Sequence, residues 1–181
     1  MRSTPIQAYQ QASQLKETEK FHKAIKVLQK LYFFLQKKEE DLFLLSLTCQ
    51  TLGELYITVG NLSLAQEYIE KSLNLGREEG KEFPLWYSLQ LLGDLWLARG
   101  QANLAIENLL NSFERAKEFE GAGFPTIFRS LGAAYALSGN YNKAFFYLNK
   151  AILAENEKSI NSLALTMLRI SYTFCLVGKY S

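Results

Sequence analysis

The chain has 181 residues, 48% of them hydrophobic and 13% aromatic, with three prolines and eleven glycines; that is ample for a continuous core and too little proline and glycine for a loop-rich or disordered chain. Its net charge of +2 points by itself to neither nucleic acid nor a membrane, and apolar runs such as Leu31 to Leu35 fall far below the roughly 18 residues needed to span a bilayer. The opening stretch MRSTPIQAYQQ lacks the apolar segment of a secretory signal.

In chain order, apolar spacing and helix-end signals predict helices over residues 5–17, 20–37, 41–59, 62–78, 84–99, 102–118, 125–138, 141–156 and 160–177. Ala24, Leu28, Leu31 and Leu35 draw one stripe along the second of these. Leu45, Cys49, Leu52, Tyr56 and Val59 draw another along the third, and Leu85, Leu89, Leu92 and Trp96 repeat it in the fifth. No stretch alternates polar and apolar residues as a half-buried strand would. Pro5, Pro84 and Pro125 stand near helix starts, where a missing N–H costs nothing. Gly60, Gly100, Gly139 and Gly178 each follow a helix, where the turn needs left-handed backbone. Asn61 and Asn140 come next and suit an N-cap, and Gln101 suits it less well. The segment Gly121-Ala122-Gly123 has no strand before it and reads as a linker between helices. Cys49 and Cys175 fall inside helices and are expected to be reduced core residues of a cytoplasmic protein.

These elements repeat. Leu52-Gly53, Leu92-Gly93 and Leu131-Gly132 are each followed by an aromatic (Tyr56, Trp96, Tyr135), a turn glycine and an alanine (Ala65, Ala105, Ala144), at steps of 40 and 39 residues. Ile170-Ser171, with Phe174 and Gly178, is a partial later copy, and a degenerate earlier one lies around Phe21 and Ala24. This pattern resembles the tetratricopeptide repeat, in a variant longer than the usual period of about 34 residues. Variants of this length are similar to those of some G-protein-regulating scaffolds and of the sensor arms of bacterial signalling ATPases.

The resemblance implies an all-α fold, an α-solenoid of stacked antiparallel helix pairs forming a right-handed superhelix. It makes residues 1–181 one domain with repeats near 5–37, 41–78, 84–118, 125–156 and a partial one at 160–181. The small residues Gly53, Gly93 and Gly132, facing Ala65, Ala105 and Ala144, would let neighbouring backbones approach closely. First helices would line a concave groove in which the family binds peptides. The residues placed there by register are Gln50, Glu54, Tyr87, Gln90, Asp94, Arg129, Ser130, Arg169 and Tyr172. Gln50 and Glu54 occupy the early positions where a clamp for a terminal carboxylate would need cationic groups. A ligand with spaced basic residues is expected instead.

Little else in the chain suggests chemistry. With His22 as the only histidine, neither a histidine-based triad nor a two-histidine metal site can be assembled, and no phosphate-binding loop occurs. The chain is therefore expected to be non-catalytic, with no metal site and no cofactor. Lys23, Lys26, Lys30 and Lys37 share one side of the second helix, and residues 1–40 carry eight basic and four acidic groups. That stripe reads first as a solvated face, with no aromatic interleaved, and second as a surface for RNA, DNA or an acidic partner. The leading function is a protein- or peptide-binding scaffold. The alternatives are a regulatory or sensor arm of a larger signalling ATPase, enzyme or transcription regulator, and a nucleic-acid-binding repeat. The last helix, with Leu163, Leu165, Met167, Leu168, Ile170, Phe174, Leu176 and Val177, is apolar on more than one side. It is expected to be covered by another copy of the chain or by further repeats.

Overall fold

A computed structural model describes residues 4–38, 41–79, 82–119, 123–154 and 160–180. Among the described residues the only regular elements are α-helices: α1 (Pro5–Glu17), α2 (Phe21–Lys38), α3 (Leu42–Thr58), α4 (Leu62–Glu79), α5 (Glu82–Ala98), α6 (Ala102–Ala116), α7 (Phe124–Leu137), α8 (Tyr141–Ala154) and α9 (Ile160–Tyr180). The chain divides into two compact units, Met1–Leu91 and Leu92–Ser181, with the boundary inside α5. In the first unit α1 packs on α2, α2 on α3, and α3 along α4; in the second α6 packs on α7, α7 on α8, and α9 on both α7 and α8.

Helix ends follow from local chemistry. Thr4 opens α1 with a capping box, accepting from the Gln7 N–H while the Gln7 side chain accepts from the Thr4 N–H. Asp41 caps α3 by accepting from the Leu44 N–H at 2.8 Å. At the end of α3, Gly60 has φ +79°, the Asn61 N–H reaches back to the Tyr56 carbonyl, and the Gly60 N–H reaches the Ile57 carbonyl. Gly100 and Gly139 repeat this left-handed cap. Asn61 and Asn140 then cap α4 and α8 by accepting from the Leu64 and Lys143 N–H groups, whereas Gln101 makes no side-chain cap.

Gly178 departs from the expected pattern, because α9 runs through it to Tyr180. An interior glycine weakens a helix by only about 1 kcal/mol relative to alanine. At Gly60, Gly100 and Gly139 the next helix folds back to bury a shared face, and that burial selects the turn. Among the described residues no helix follows α9. Gly121, Ala122 and residues 155–156 of the expected eighth helix lie outside the described residues.

The small-residue register is a packing device. A Cβ built on Gly53 would lie 2.7 Å from Ile69 Cγ1, on Gly93 2.5 Å from Leu109 Cγ, and on Gly132 2.5 Å from Leu148 Cγ. In each case the next helix's backbone also lies close, at the carbonyls of Ala65, Ala105 and Ala144. Those alanines are fully buried, and so are Leu52, Leu131, Ile69, Leu109 and Leu148. Each pair thus closes at one glycine facing one alanine, with a branched aliphatic residue one turn further on.

The same register extends to α1 and α2. Counting back 41 residues, Ala12 stands at the position of Gly53 and Ala24 at that of Ala65, both with no exposed surface. Glu19 falls at the turn-glycine position and is the only non-glycine among the described residues with positive φ, at 56°. The Lys20 N–H still reaches the Leu15 carbonyl and the Glu19 N–H the Lys16 carbonyl, so the cap survives without its glycine. A β-carbon in this region costs roughly 1–2 kcal/mol. Replacing Glu19-Lys20 by Gly-Asn, as in Gly60-Asn61, should therefore raise stability by about 1–2 kcal/mol. Urea unfolding checks this, and an unchanged or lower midpoint would refute it.

The motif aromatics complete the pairs. Tyr56 stacks on Tyr68 with ring planes 11° apart, and Tyr135 on Tyr147 at 4°. Burial pushes the Tyr68 phenol up to about 12, with Tyr56 adding to the effect. Cys49 is buried as expected, and burial lifts its thiol to about 12 against the pull of Lys71. Cys175 is not a core residue but exposed. Thr166 and Thr173 mark the buried face of α9, and Cys175, two residues beyond Thr173, points about 200° away from it.

Candidate peptide-binding face

The first helices of successive repeats are joined by polar side chains at recurring places. In the first unit Tyr9 of α1 donates to the Thr51 hydroxyl at 3.0 Å, since Thr51 itself donates to the Leu47 carbonyl. Lys16 Nζ donates to Glu54 Oε2 at 2.8 Å, and the Tyr87 hydroxyl donates to the same oxygen at 3.2 Å. The Lys16 and Glu54 side chains are each 33% exposed, so the pair contributes of order 0–1 kcal/mol and serves mainly to hold geometry.

Behind this row runs a buried hydrogen-bond chain. Gln50 Nε2 donates to Ser88 Oγ at 2.9 Å, Ser88 donates to Ser72 at 2.7 Å, and Ser72 donates to the Ile69 carbonyl. Gln50 is 1% exposed, and Ser72 and Ser88 not at all. Buried polar groups must be satisfied or they cost about 1–3 kcal/mol each, and here they satisfy one another. Gln90 is likewise buried, at 6% exposure.

In the second unit the Ser130 hydroxyl donates to Asp94 Oδ1 at 2.6 Å, and Arg129 donates to the Thr166 hydroxyl at 3.3 Å. Ser130 is buried and Arg129 and Asp94 are half-buried, whereas Arg169 and Tyr172 on α9 are exposed. The register makes two of these bonds equivalent. Gln50 and Arg129 each stand three residues before the repeat glycine, and their acceptors Ser88 and Thr166 each stand five before the next Gly or Ser of that position. Glu54 and Asp94 each stand one residue after the glycine, and each accepts from the next first helix.

Of the nine positions placed on this face by sequence, the first unit joins Glu54 to Tyr87 and sets Gln50 in the buried chain behind them, and the second joins Asp94 to Ser130. Tyr9, Lys16, Thr51, Ser72, Ser88 and Thr166 complete the rows and were not singled out in the sequence. For all but Ser72, which lies on α4, polar residues spaced a little under or over one repeat apart on first helices were the signal that could have found them.

The tetratricopeptide repeat family model matches residues 47–77 and 130–158, which are the segments built by α3 with α4 and by α7 with α8. These two segments are tetratricopeptide repeats. The pair between those two segments shows the same contact, Gly93 against Leu109 and the Ala105 carbonyl, so the tetratricopeptide packing recurs beyond the matched residues. Solved structures agree in fold. BtubC (BKLC) from P. vanneervenii superposes with a TM-score of 0.71 at 14% identity over 84% of this chain, and this chain spans 65% of its length. A kinesin light chain-like protein of nearly identical TPR-like repeats from Podosopora anserina gives 0.72 at 15% identity, covering 98% of this chain and 90% of that one. A single-substitution variant of the latter gives 0.73 at 16% identity, covering 99% and 90%. At these identities the likeness concerns the fold alone. None of the curated proteins compared matches the sequence. Tetratricopeptide repeats generally serve as protein-interaction scaffolds, and among the described residues no helix is long and apolar enough to cross a membrane.

Proposed function

We propose that the chain is a non-catalytic, cytoplasmic scaffold that receives a partner peptide on the first-helix rows of its repeats. The observation that carries this reading is the pair of carboxylates, Glu54 and Asp94, held at equivalent places by hydroxyl donors from the next first helix. Side chains fixed before a ligand arrives lose less freedom on binding it. Glu54, Tyr87, Asp94, Arg129, Arg169 and Tyr172 have surface to offer a ligand, while Gln50, Gln90 and Ser130 act as supports from behind. Carboxylates at this position favour a peptide with spaced lysines or arginines over one ending in acidic residues.

Titration calorimetry with a synthetic peptide of spaced lysines and arginines tests this. Glu54→Gln and Asp94→Asn, made singly, should each weaken binding about five- to tenfold, equivalent to about 1 kcal/mol. Unchanged affinity in both would remove these rows as the site.

The same register suggests a second partner, another copy of the chain. Leu168 stands at the position of Gln50 and Arg129, and Tyr172 at that of Glu54 and Asp94, where earlier first helices bond their successor. In α9 these side chains are 66% and 63% exposed.

A further inference from the structure

A different surface lies on the outer side of α1 and α2. Helix α2 carries five lysines and no carboxylate, and Lys23, Lys26, Lys30, Lys37 and Lys38 are all exposed. The lysine side is also aromatic, contrary to the sequence expectation. Phe33 and Phe34 are 58% and 45% exposed and fall within the turn between Lys30 and Lys37, on the same side of the helix. By contrast, α4 mixes Glu67, Glu70, Lys71 and Arg77, the composition of a merely solvated face.

Between α1 and α2 this surface has a pocket of about 300 Å³, lined by Pro5, Ala8, Val27, Lys30, Leu31 and Phe34 among others. The aliphatic side chains and the Phe34 ring supply its apolar lining, and Thr4, Gln11 and Lys30 its polar one. That volume is at the small end of ligand-binding pockets, roughly 300–1,000 Å³, and suits one large apolar side chain with its backbone.

We propose that this pocket is a docking site for an acidic peptide segment that inserts one leucine- or phenylalanine-sized side chain and sets flanking carboxylates against the lysines of α2. Charge complementarity selects the flanks, because Lys23, Lys26, Lys30 and Lys37 share one exposed side of a helix that carries no carboxylate, and an anionic partner offsets their mutual repulsion. The recess selects a peptide over a nucleic acid. Lys38 Nζ lies over the Phe34 ring at 5.3 Å and Tyr32 meets Phe33 edge-on at 5.5 Å, so the two rings form no open platform for stacked bases. The recess also disfavours a lipid surface, which binds protruding apolar side chains rather than filling a pocket.

The test is fluorescence anisotropy with a labelled synthetic peptide of one leucine between glutamate pairs, alongside oligouridylate and phosphatidylserine vesicles. Saturable peptide binding should weaken at about 0.5 M salt, where exposed charges are screened. It should fall at least about tenfold in the double variant Lys30→Glu with Phe34→Ala, whose fold is checked by circular dichroism. Glu54→Gln should leave it unchanged, which separates this pocket from the first-helix rows. No saturable peptide binding, tighter binding to RNA or vesicles, or an unaffected double variant would each overturn the proposal.

Discussion

Gly93→Leu should destabilise the protein by about 2–3 kcal/mol, and Gly132→Leu by at least as much. The reason lies one helix away. A Cβ alone at Gly93 would meet Leu109 Cγ at 2.5 Å and Cδ2 at 2.8 Å, with the Ala105 carbonyl at 3.4 Å; at Gly132 the corresponding distances to Leu148 and Ala144 are 2.5, 2.7 and 3.2 Å. Leu109 and Leu148 are fully buried, and their Cγ atoms sit near the root of the side chain, so neither can swing away without opening the core. Gly93→Ala should already be costly, although alanine favours a helix by about 1 kcal/mol. The comparison is informative because propensity and packing predict opposite signs. Urea unfolding of both variants measures the cost, and midpoints within error of the parent would show that close approach at the repeat glycine does not hold the pairs together.

The proposed docking of a second copy on α9 should be abolished by a charge on its open face. Met167, Leu168 and Tyr172 are 54%, 66% and 63% exposed, a grouping of large exposed side chains that marks interaction surfaces. The expected partner surface follows from the register. In the first unit, Glu54 meets Tyr87, which stands six residues before the next repeat glycine. On α1 that place belongs to Ile6, itself 60% exposed. The matching pair between copies is Tyr172 with Ile6, a head-to-tail joint that leaves a free end on each side. Light scattering should show mass rising with concentration, and Tyr172→Asp and Ile6→Asp should each abolish the rise with unchanged helicity. A monomer at every concentration, or an effect of only one of the two charges, would dismiss the joint. The side chains of Leu163, Leu165, Phe174 and Leu176 lie outside the described residues.

Much of the fold was legible because its signals are local. Pro5, Asn61, Asn140 and the glycines at 60, 100 and 139 act on their own turn of chain, so helix ends came within one or two residues for most elements. Gly178 misled because a glycine permits the left-handed turn without requiring it, and α9 runs through it. The repeat was legible because glycine facing alanine leaves a fixed spacing in the sequence. Ala12, Glu19 and Lys20 hid the first copy, since a tolerated alanine and a strained glutamate replace the residues that mark the motif.

The candidate face was legible by register and not by contact. Spacing put Gln50, Glu54, Asp94 and Arg129 at equivalent positions, and the structure keeps that equivalence. Sequence could not show that Gln50 is spent inside the core on Ser88, or that Lys16, distant in the chain, orients Glu54. Nor could it show that Phe33 and Phe34 emerge among the lysines, since either side of α2 could have buried them. By itself the sequence determined helical pairs, their turns and the order of the repeats, because each depends on residues within a few turns of one another. The tertiary structure alone decided which polar side chains face inward and which cations find a partner, and where a pocket opens between α1 and α2. Those outcomes depend on how a neighbouring helix is placed, and no local pattern encodes that distance.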